Sequence, residues 1–201
     1  MVIKWIGRSC DGSSAARILS NARRVSGLSQ RELATRARTQ QPVVARTASS
    51  ARDVTCETLD RLLRPTGYRL TAIPTRSWTA AEAADAIRGH LRAANEDGAY
   101  RDVIQFNDDL AREHGALRVA VVVAPPGPTG DDRYDAILAA LVEFRLNEER
   151  LPLPTWTAGH SLDEPWFVDK NSVDDPATVD ATPEPFRRRG VIIDAVELAS
   201  V

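Results

Sequence analysis

Cysteine, aromatic residues and long apolar runs are all scarce in this chain of 201 residues. It has two cysteines, Cys10 and Cys56, which are too few and too far apart for a disulfide framework or a four-ligand zinc site. No apolar run reaches the 18 or so residues of a transmembrane helix, and the N-terminal residues lack the apolar stretch of a signal peptide. We therefore expect a globular protein of the reducing cytoplasm, whose core is built from its 43% hydrophobic residues.

The net charge of −2 hides an uneven distribution of charge along the chain. Residues 1–76 carry 14 lysines and arginines against 5 acidic residues, a net charge of +9. Residues 77–201 carry 12 against 23, a net charge of −11. This division predicts two units with different partners. The partner of the basic unit is expected to be a polyanion. The alternative is an uneven scatter of surface charge that says nothing about partners.

The basic part of the chain has the pattern of short helices. Helical spacing predicts a first helix over 15–26, with Gly27 as its stop and four residues facing inward: Ile18, Leu19, Ala22 and Val25. Ser29 and Glu32 form the capping-box pattern of a second helix, whose inner face would hold Leu33, Ala34 and Ala37. A small residue such as Ala34 suits the point where two helices cross after a tight turn.

Two more helices follow in the same basic region. The third is predicted over 41–49, with Pro42 in its first turn and Val44 facing inward. Thr55 caps a fourth helix that ends near Pro65 and Gly67 and buries three leucines: Leu59, Leu62 and Leu63. Residues 68–74 are predicted to form a short strand or an extended exit segment.

Two stretches, "LSQRELATRARTQQPVVAR" at 28–46 and "TCETLDRLLRPTGYRL" at 55–70, resemble the helix-turn-helix domain of Xre-type regulators, the class of the phage Cro repressor. The resemblance covers about residues 15–73 and implies that the third helix reads DNA bases. The DNA-contacting residues that it implies are Gln30, Arg31, Arg38, Gln40, Gln41, Pro42, Arg46 and Arg52.

The chemistry of these side chains suits the implied role. A glutamine amide matches the donor and acceptor edge of adenine, whereas arginine matches guanine or clamps a phosphate. Arg31, Arg36, Arg38 and Arg52 would displace counterions from the DNA backbone whatever its sequence. The resemblance further implies that Gln30 contacts a phosphate and braces Gln41. The alternative interpretation is that these residues form ordinary solvated helix faces.

Three residues depart from the pattern of the family. Arg38 occupies the turn position that usually holds glycine, and a left-handed conformation costs a non-glycine residue on the order of 1 kcal/mol. Thr47 replaces the usual inward isoleucine, and Ala48 replaces the glutamate that often follows. These departures predict a non-standard turn, looser packing of the third helix or a register shifted by one residue.

The acidic part of the chain predicts secondary structure but contains no motif that indicates a function. Helices are predicted over 79–98, with Ala84, Ile87, Leu91 and Ala94 on one face, and over about 100–113. Residues 119–123 fit a buried strand or the end of a buried helix. An amphipathic helix over 131–149 would present a stripe that is core or, alternatively, a partner surface: Tyr134, Ile137, Leu138, Leu141 and Val142.

The last 50 residues are predicted to be mostly loop. We expect their aromatic residues to anchor this segment on the helices rather than line a ligand pocket: Trp156, Trp166, Phe167 and Phe186. Arg187, Arg188 and Arg189 are expected to form a solvated charge run, with contact to DNA or an acidic partner as the alternative.

No pattern of residues indicates an enzyme. The chain has no nucleotide-binding glycine motif, and "PPGPTG" lacks the lysine that phosphate binding requires. The three histidines, His90, His114 and His160, have no metal-ligand spacing. Cys56 is expected to be a buried small hydrophobe rather than a nucleophile. We expect no cofactor and no metal.

The sequence thus predicts a mainly α protein with three parts: an N-terminal arm over 1–14, a Cro-like helix-turn-helix bundle over 15–76, and an acidic, mostly helical C-terminal domain with long loops over 77–201. The expected function is a transcriptional regulator that binds double-stranded operator DNA as a homodimer. An acidic C-terminal domain of this size also resembles antitoxins of bacterial toxin–antitoxin operons, which implies a cognate toxin or another protein partner. The alternative is a protein-interaction module whose helix-turn-helix no longer binds DNA.

Overall fold

The computed structural model describes residues 14–49, 54–169, 173 and 175–199. Within these residues the chain forms ten α-helices and two strands of two residues each, which confirms the mainly α fold class. The chain divides into two compact units, Met1–Ile73 and Pro74–Val201. Except for Ser14, the N-terminal arm expected over 1–14 lies outside the described residues.

Unit 1 consists of four helices: α1 (Ser14–Val25), α2 (Gln30–Arg36), α3 (Gln41–Ser49) and α4 (Cys56–Leu63). A 3-10 turn, Arg64–Thr66, follows α4, and residues 68–74 form no strand, so they are the extended exit segment. The helices enclose one core, whose buried members are Leu19, Ala22, Leu28, Leu33, Ala34, Ala37, Val44, Leu59, Leu62 and Leu63.

Two side chains of unit 1 do not lie where the sequence predicts them. Val25 was expected to face inward but is 57% exposed, because it ends α1 just before the chain turns at Gly27. Cys56 was expected to be buried and is instead exposed, because it is the first residue of α4 and its side chain precedes the inward face that begins at Leu59.

Unit 2 contains the remaining helices: α5 (Ala80–Arg92), α6 (Glu96–Arg112), α7 (Gly115–Val122), α8 (Asp132–Glu148), α9 (Pro176–Ala181) and α10 (Glu184–Arg187). Its two short strands, β1 (Trp166–Phe167) and β2 (Val191–Ile192), pair in parallel. The run at 119–123, which fitted either a strand or a helix, lies in and just after α7.

The single helix predicted over 79–98 is wrong, because the chain breaks between α5 and α6. Ala94 takes a left-handed conformation, with φ of +52°. Asn95 then caps α6 by accepting a hydrogen bond of 2.9 Å from the Gly98 N–H. His90 fills the space beside Gly98, since a Cβ at Gly98 would lie 2.5 Å from His90 Nδ1. The left-handed Ala94 and the Asn95 cap therefore interrupt the alanine-rich run despite its helix propensity.

Helix α8 is buried on nearly all sides rather than amphipathic. Its predicted apolar stripe is core, but Ala136, Ala139 and Ala140 on the other sides are buried as well. The helix packs against α5, α6, α7, α10 and β2. The core of unit 2 is therefore arranged around α8, and small alanines allow its neighbours to approach from several directions.

The aromatic anchors of the last 50 residues are confirmed, whereas the solvated arginine run is wrong at Arg189 and holds at Arg187, which is exposed. Phe186 is fully buried and packs edge-on against Phe144. Arg189 is also buried, and its guanidinium lies 2.7 Å from the Glu143 carboxylate on α8. A buried carboxylate requires a cationic partner, and Arg188 also contacts Glu143. The charge run thus fixes the C-terminal segment to α8.

Candidate nucleic-acid interface

The entry to α2 is fixed by the predicted capping box. Ser29 Oγ accepts a hydrogen bond of 3.2 Å from the Glu32 N–H, and Glu32 Oε2 accepts one of 2.8 Å from the Ser29 N–H. The hydrogen bonds from Ser29 hold the pKa of the Glu32 carboxyl below its ordinary value. Gln30 and Arg31 therefore occupy defined positions in the first turn of α2, half-buried and exposed respectively.

The turn between α2 and α3 has a left-handed residue despite the absence of glycine. Arg38 has φ of +52°. Around it, the Thr39 N–H donates to the Ala34 carbonyl at 2.9 Å, and the Arg38 N–H donates to the Thr35 carbonyl at 3.2 Å. These two bonds are the Schellman pattern that ends many helices. The prediction of a non-standard turn is therefore wrong: the turn has ordinary Schellman geometry, with an exposed arginine at the left-handed position where glycine would carry no steric cost.

Helix α3 has one anchored face and one free face. Val44 and Thr47 are buried at 0% and 4% exposure, so Thr47 occupies the inward position even though it is not an isoleucine. Gln41, Pro42 and Arg46 are exposed on the other face, and Gln40 is exposed just before the helix.

The Arg46 side chain folds along its own helix. Its Nε donates to the Pro42 carbonyl at 3.3 Å. The guanidinium is thereby held on the free face of α3.

Arginine dominates the charge of unit 1. Its described residues include ten arginines and three acidic residues, a net charge of +7. Glu32 is engaged in the capping box, and Asp60 pairs with Arg64, which lowers the pKa of the Asp60 carboxyl. The exposed arginines of α2, the turn and α3 are Arg31, Arg36, Arg38 and Arg46. An anionic surface brought to α3 would therefore meet arginines whose charge few nearby carboxylates offset.

The structure groups the predicted DNA-contacting residues on two helices and the turn between them. Gln40, Gln41, Pro42 and Arg46 lie at or in α3; Gln30 and Arg31 lie in α2; Arg38 lies in the turn. Arg52 falls outside the described residues.

One expected contact is missing, and two residues of the free face were overlooked. The Gln30 and Gln41 side chains form no hydrogen bond with each other in the part of the chain that the structure describes. Ala45 and Ser49 lie on the same face as Gln41 and were missed. Their spacing of four and eight residues from Gln41 is the signal that could have identified them.

Two of the three histidines of unit 2, His90 and His114, each pair with a carboxylate. His90 Nε2 lies 3.4 Å from Asp102 Oδ2, and His114 Nδ1 lies 2.6 Å from Glu149 Oε1. Burial raises the pKa of the Asp102 carboxyl. Among the residues with described positions, no three metal-binding side chains come together. No helix in the described ranges combines the length and the apolar composition that crossing a membrane requires.

Comparisons with protein-family models, curated proteins and solved structures gave no significant match.

Proposed function

We propose that unit 1 binds double-stranded DNA sequence-specifically and that the chain is a transcriptional regulator. The observation that carries this proposal is the two-faced form of α3. Val44 and Thr47 fix one face in the core, while Gln41 and Arg46 extend from the other. The major groove of DNA admits one α-helix, and amide and guanidinium groups match the edges of adenine and guanine. Gln41 and Arg46 are therefore the base-reading residues in this proposal.

The arginines around α3 supply the part of the affinity that does not depend on sequence. The described residues of unit 1 have a net charge of +7, and Arg31 in α2 and Arg38 in the turn before α3 are exposed. Each phosphate that an arginine neutralises releases condensed counterions, so binding should weaken steeply as salt rises. We assign Arg31, Arg38 and Gln30 to the phosphate backbone, because phosphate contacts position a recognition helix without reading sequence.

A homodimer completes the proposal. Two copies related by a two-fold axis would place two α3 helices on half-sites about one helical turn apart, roughly 34 Å. Dimerisation or partner binding falls to unit 2, where the resemblance to antitoxins implies a cognate toxin as the partner. Regulation would then act on the operator next to the chain's own coding sequence, as in an autoregulated operon.

The experiment is a titration of the full chain against a labelled fragment of its own upstream region, with random DNA as competitor, at 50 and 200 mM salt. We expect specific binding that weakens steeply at the higher salt. Gln41→Ala and Arg46→Ala should each weaken it by roughly 5- to 150-fold for each half-site, the worth of one bidentate base contact. Asn147→Ala, which removes an exposed amide from unit 2, is the matched control and should bind normally.

The two functions under consideration give opposite results at low salt. Absence of any DNA binding there would overturn the proposal and favour the protein-interaction module instead. Binding that shows no preference for the upstream fragment, but prefers another sequence, would retain the DNA-binding function and remove the autoregulation.

A further inference from the structure

The free face of α3 carries polar groups at its two edges and an apolar strip between them. In an α-helix each residue advances about 100° around the axis. Arg46 therefore lies about 140° from Gln41, and Ala45 lies between them at about 40°. The buried pair, Val44 and Thr47, lies on the opposite side, as its exposure confirms.

The two edges keep their polar groups available. Arg46 uses Nε for its 3.3 Å bond to the Pro42 carbonyl, and its two terminal nitrogens bond to no other described residue. The side chain of Gln41 is exposed and makes no hydrogen bond within the described ranges. Each edge can therefore form a bidentate contact without first breaking a contact in the protein.

The strip between the edges, in which Ala45 is half-buried, offers carbon and one hydroxyl oxygen but no free donor. Ser49 follows Ala45 by one turn, but its Oγ donates to the Ala45 carbonyl at 2.8 Å, so its hydroxyl hydrogen is already engaged. Pro42, the other member of the strip, has no N–H. Short side chains let the helix approach the groove floor, where the apolar group that a base pair presents is the 5-methyl of thymine.

We propose, resting on the function proposed above, that Ala45 is a specificity-determining residue that packs on the 5-methyl group of one thymine in each half-site. Gln41 and Arg46 contact the bases on either side of that thymine. The half-site then has an apolar contact at its centre and hydrogen-bonded bases at its flanks.

The test uses the tightest-binding duplex that the full chain selects from a random-sequence pool. Each thymine of the selected half-site is replaced in turn by deoxyuridine, which removes the methyl group and nothing else. We expect one thymine whose replacement weakens binding by about fourfold for each half-site, the worth of one buried methyl-sized group.

Two variants identify the protein group that contacts the methyl. With Ala45→Gly, thymine and deoxyuridine at that position should bind equally well. Ala48→Gly is the matched control: it removes a methyl from the same helix at an equally half-buried position, about 60° around the axis from Ala45, and it should keep the fourfold preference.

Two results would overturn the proposal while leaving the DNA-binding function standing. They are a half-site in which no thymine is sensitive to deoxyuridine, and an Ala45→Gly variant as sensitive as the wild type. A pool from which no sequence is enriched would instead overturn the proposed function itself, and this inference with it.

Discussion

Arg38 has a left-handed backbone and an exposed charge. Its replacement by glycine should therefore raise the stability of unit 1 and weaken DNA binding. A left-handed conformation costs a non-glycine residue about 1–2 kcal/mol, which Arg38→Gly would relieve. Glycine also makes the unfolded chain more flexible, which offsets about 0.4–1 kcal/mol of that gain. We therefore expect Arg38→Gly to raise the free energy of unfolding of unit 1 by about 0.5–1 kcal/mol.

DNA binding should change in the opposite direction. If Arg38 neutralises one phosphate in each half-site, its removal from both subunits of the dimer should lower the slope of log K against log salt concentration by about 1.8. The stability change is read from hydrogen exchange of the α2 and α3 amides, which should slow by about two- to fivefold for 0.5–1 kcal/mol. Binding of the upstream fragment at several salt concentrations gives the slope.

Arg150→Gly is the matched control for this experiment. Arg150 ends α8 with φ of +54°, and the Leu151 N–H donates to the Leu146 carbonyl at 2.9 Å, as in the turn at Arg38. The control should stabilise unit 2 and leave the salt slope unchanged. If Arg38→Gly leaves the slope of log K against log salt concentration unchanged, Arg38 does not contact a phosphate. If the α2 amides exchange hydrogen faster in the variant than in the wild type, the left-handed conformation of Arg38 does not destabilise unit 1.

Three other substitutions test separate parts of the structure. Gly98→Ala should destabilise unit 2 by about 0.5–2 kcal/mol in chemical denaturation, because the new Cβ would lie 2.5 Å from Asn95 Nδ2 and displace the side chain that caps α6; an unchanged midpoint would contradict this. Leu62→Ala should cost unit 1 about 2–5 kcal/mol, since Leu62 is fully buried, and a loss below 1 kcal/mol would argue against that core. Ser29→Ala should reduce a pH dependence but not abolish it, since the backbone N–H of residue 29 still donates to Glu32: the lowered pKa of Glu32 stabilises the fold above its ordinary 4.5, and this stability is lost as pH falls toward the folded value. A variant that keeps the acid transition of the wild type would contradict the role of Ser29.

Unit 1 was predictable because its helix ends are encoded locally. Ser29 and Glu32 specify the start of α2, and Thr55 specifies the start of α4, by hydrogen bonds within three residues. The free face of α3 followed from helical spacing in the same way. By contrast, the positions of side chains at helix ends, such as Val25 and Cys56, depend on how the chain leaves the core.

Unit 2 was less predictable because distant residues determine it. The break at Ala94 is an exception, because its signal is local and was overlooked: Asn95 caps α6 through the Gly98 N–H, and Glu96 and Asp97 follow in the first turn. The burial of Arg189 depends on Glu143, 46 positions away in sequence. Spacing within one element carries no information about such contacts, so the C-terminal segment looked more exposed than it is.

The most direct test of the central claim is a selection from random-sequence DNA by the full chain and by Gln41→Ala in parallel. We expect the wild type to enrich a palindrome whose half-sites lie about one helical turn apart. Gln41→Ala should lose the preference for one base pair in each half-site and keep the rest of the motif. If the wild type enriches no motif, or if both proteins enrich the same one with equal stringency, then α3 does not read DNA through Gln41.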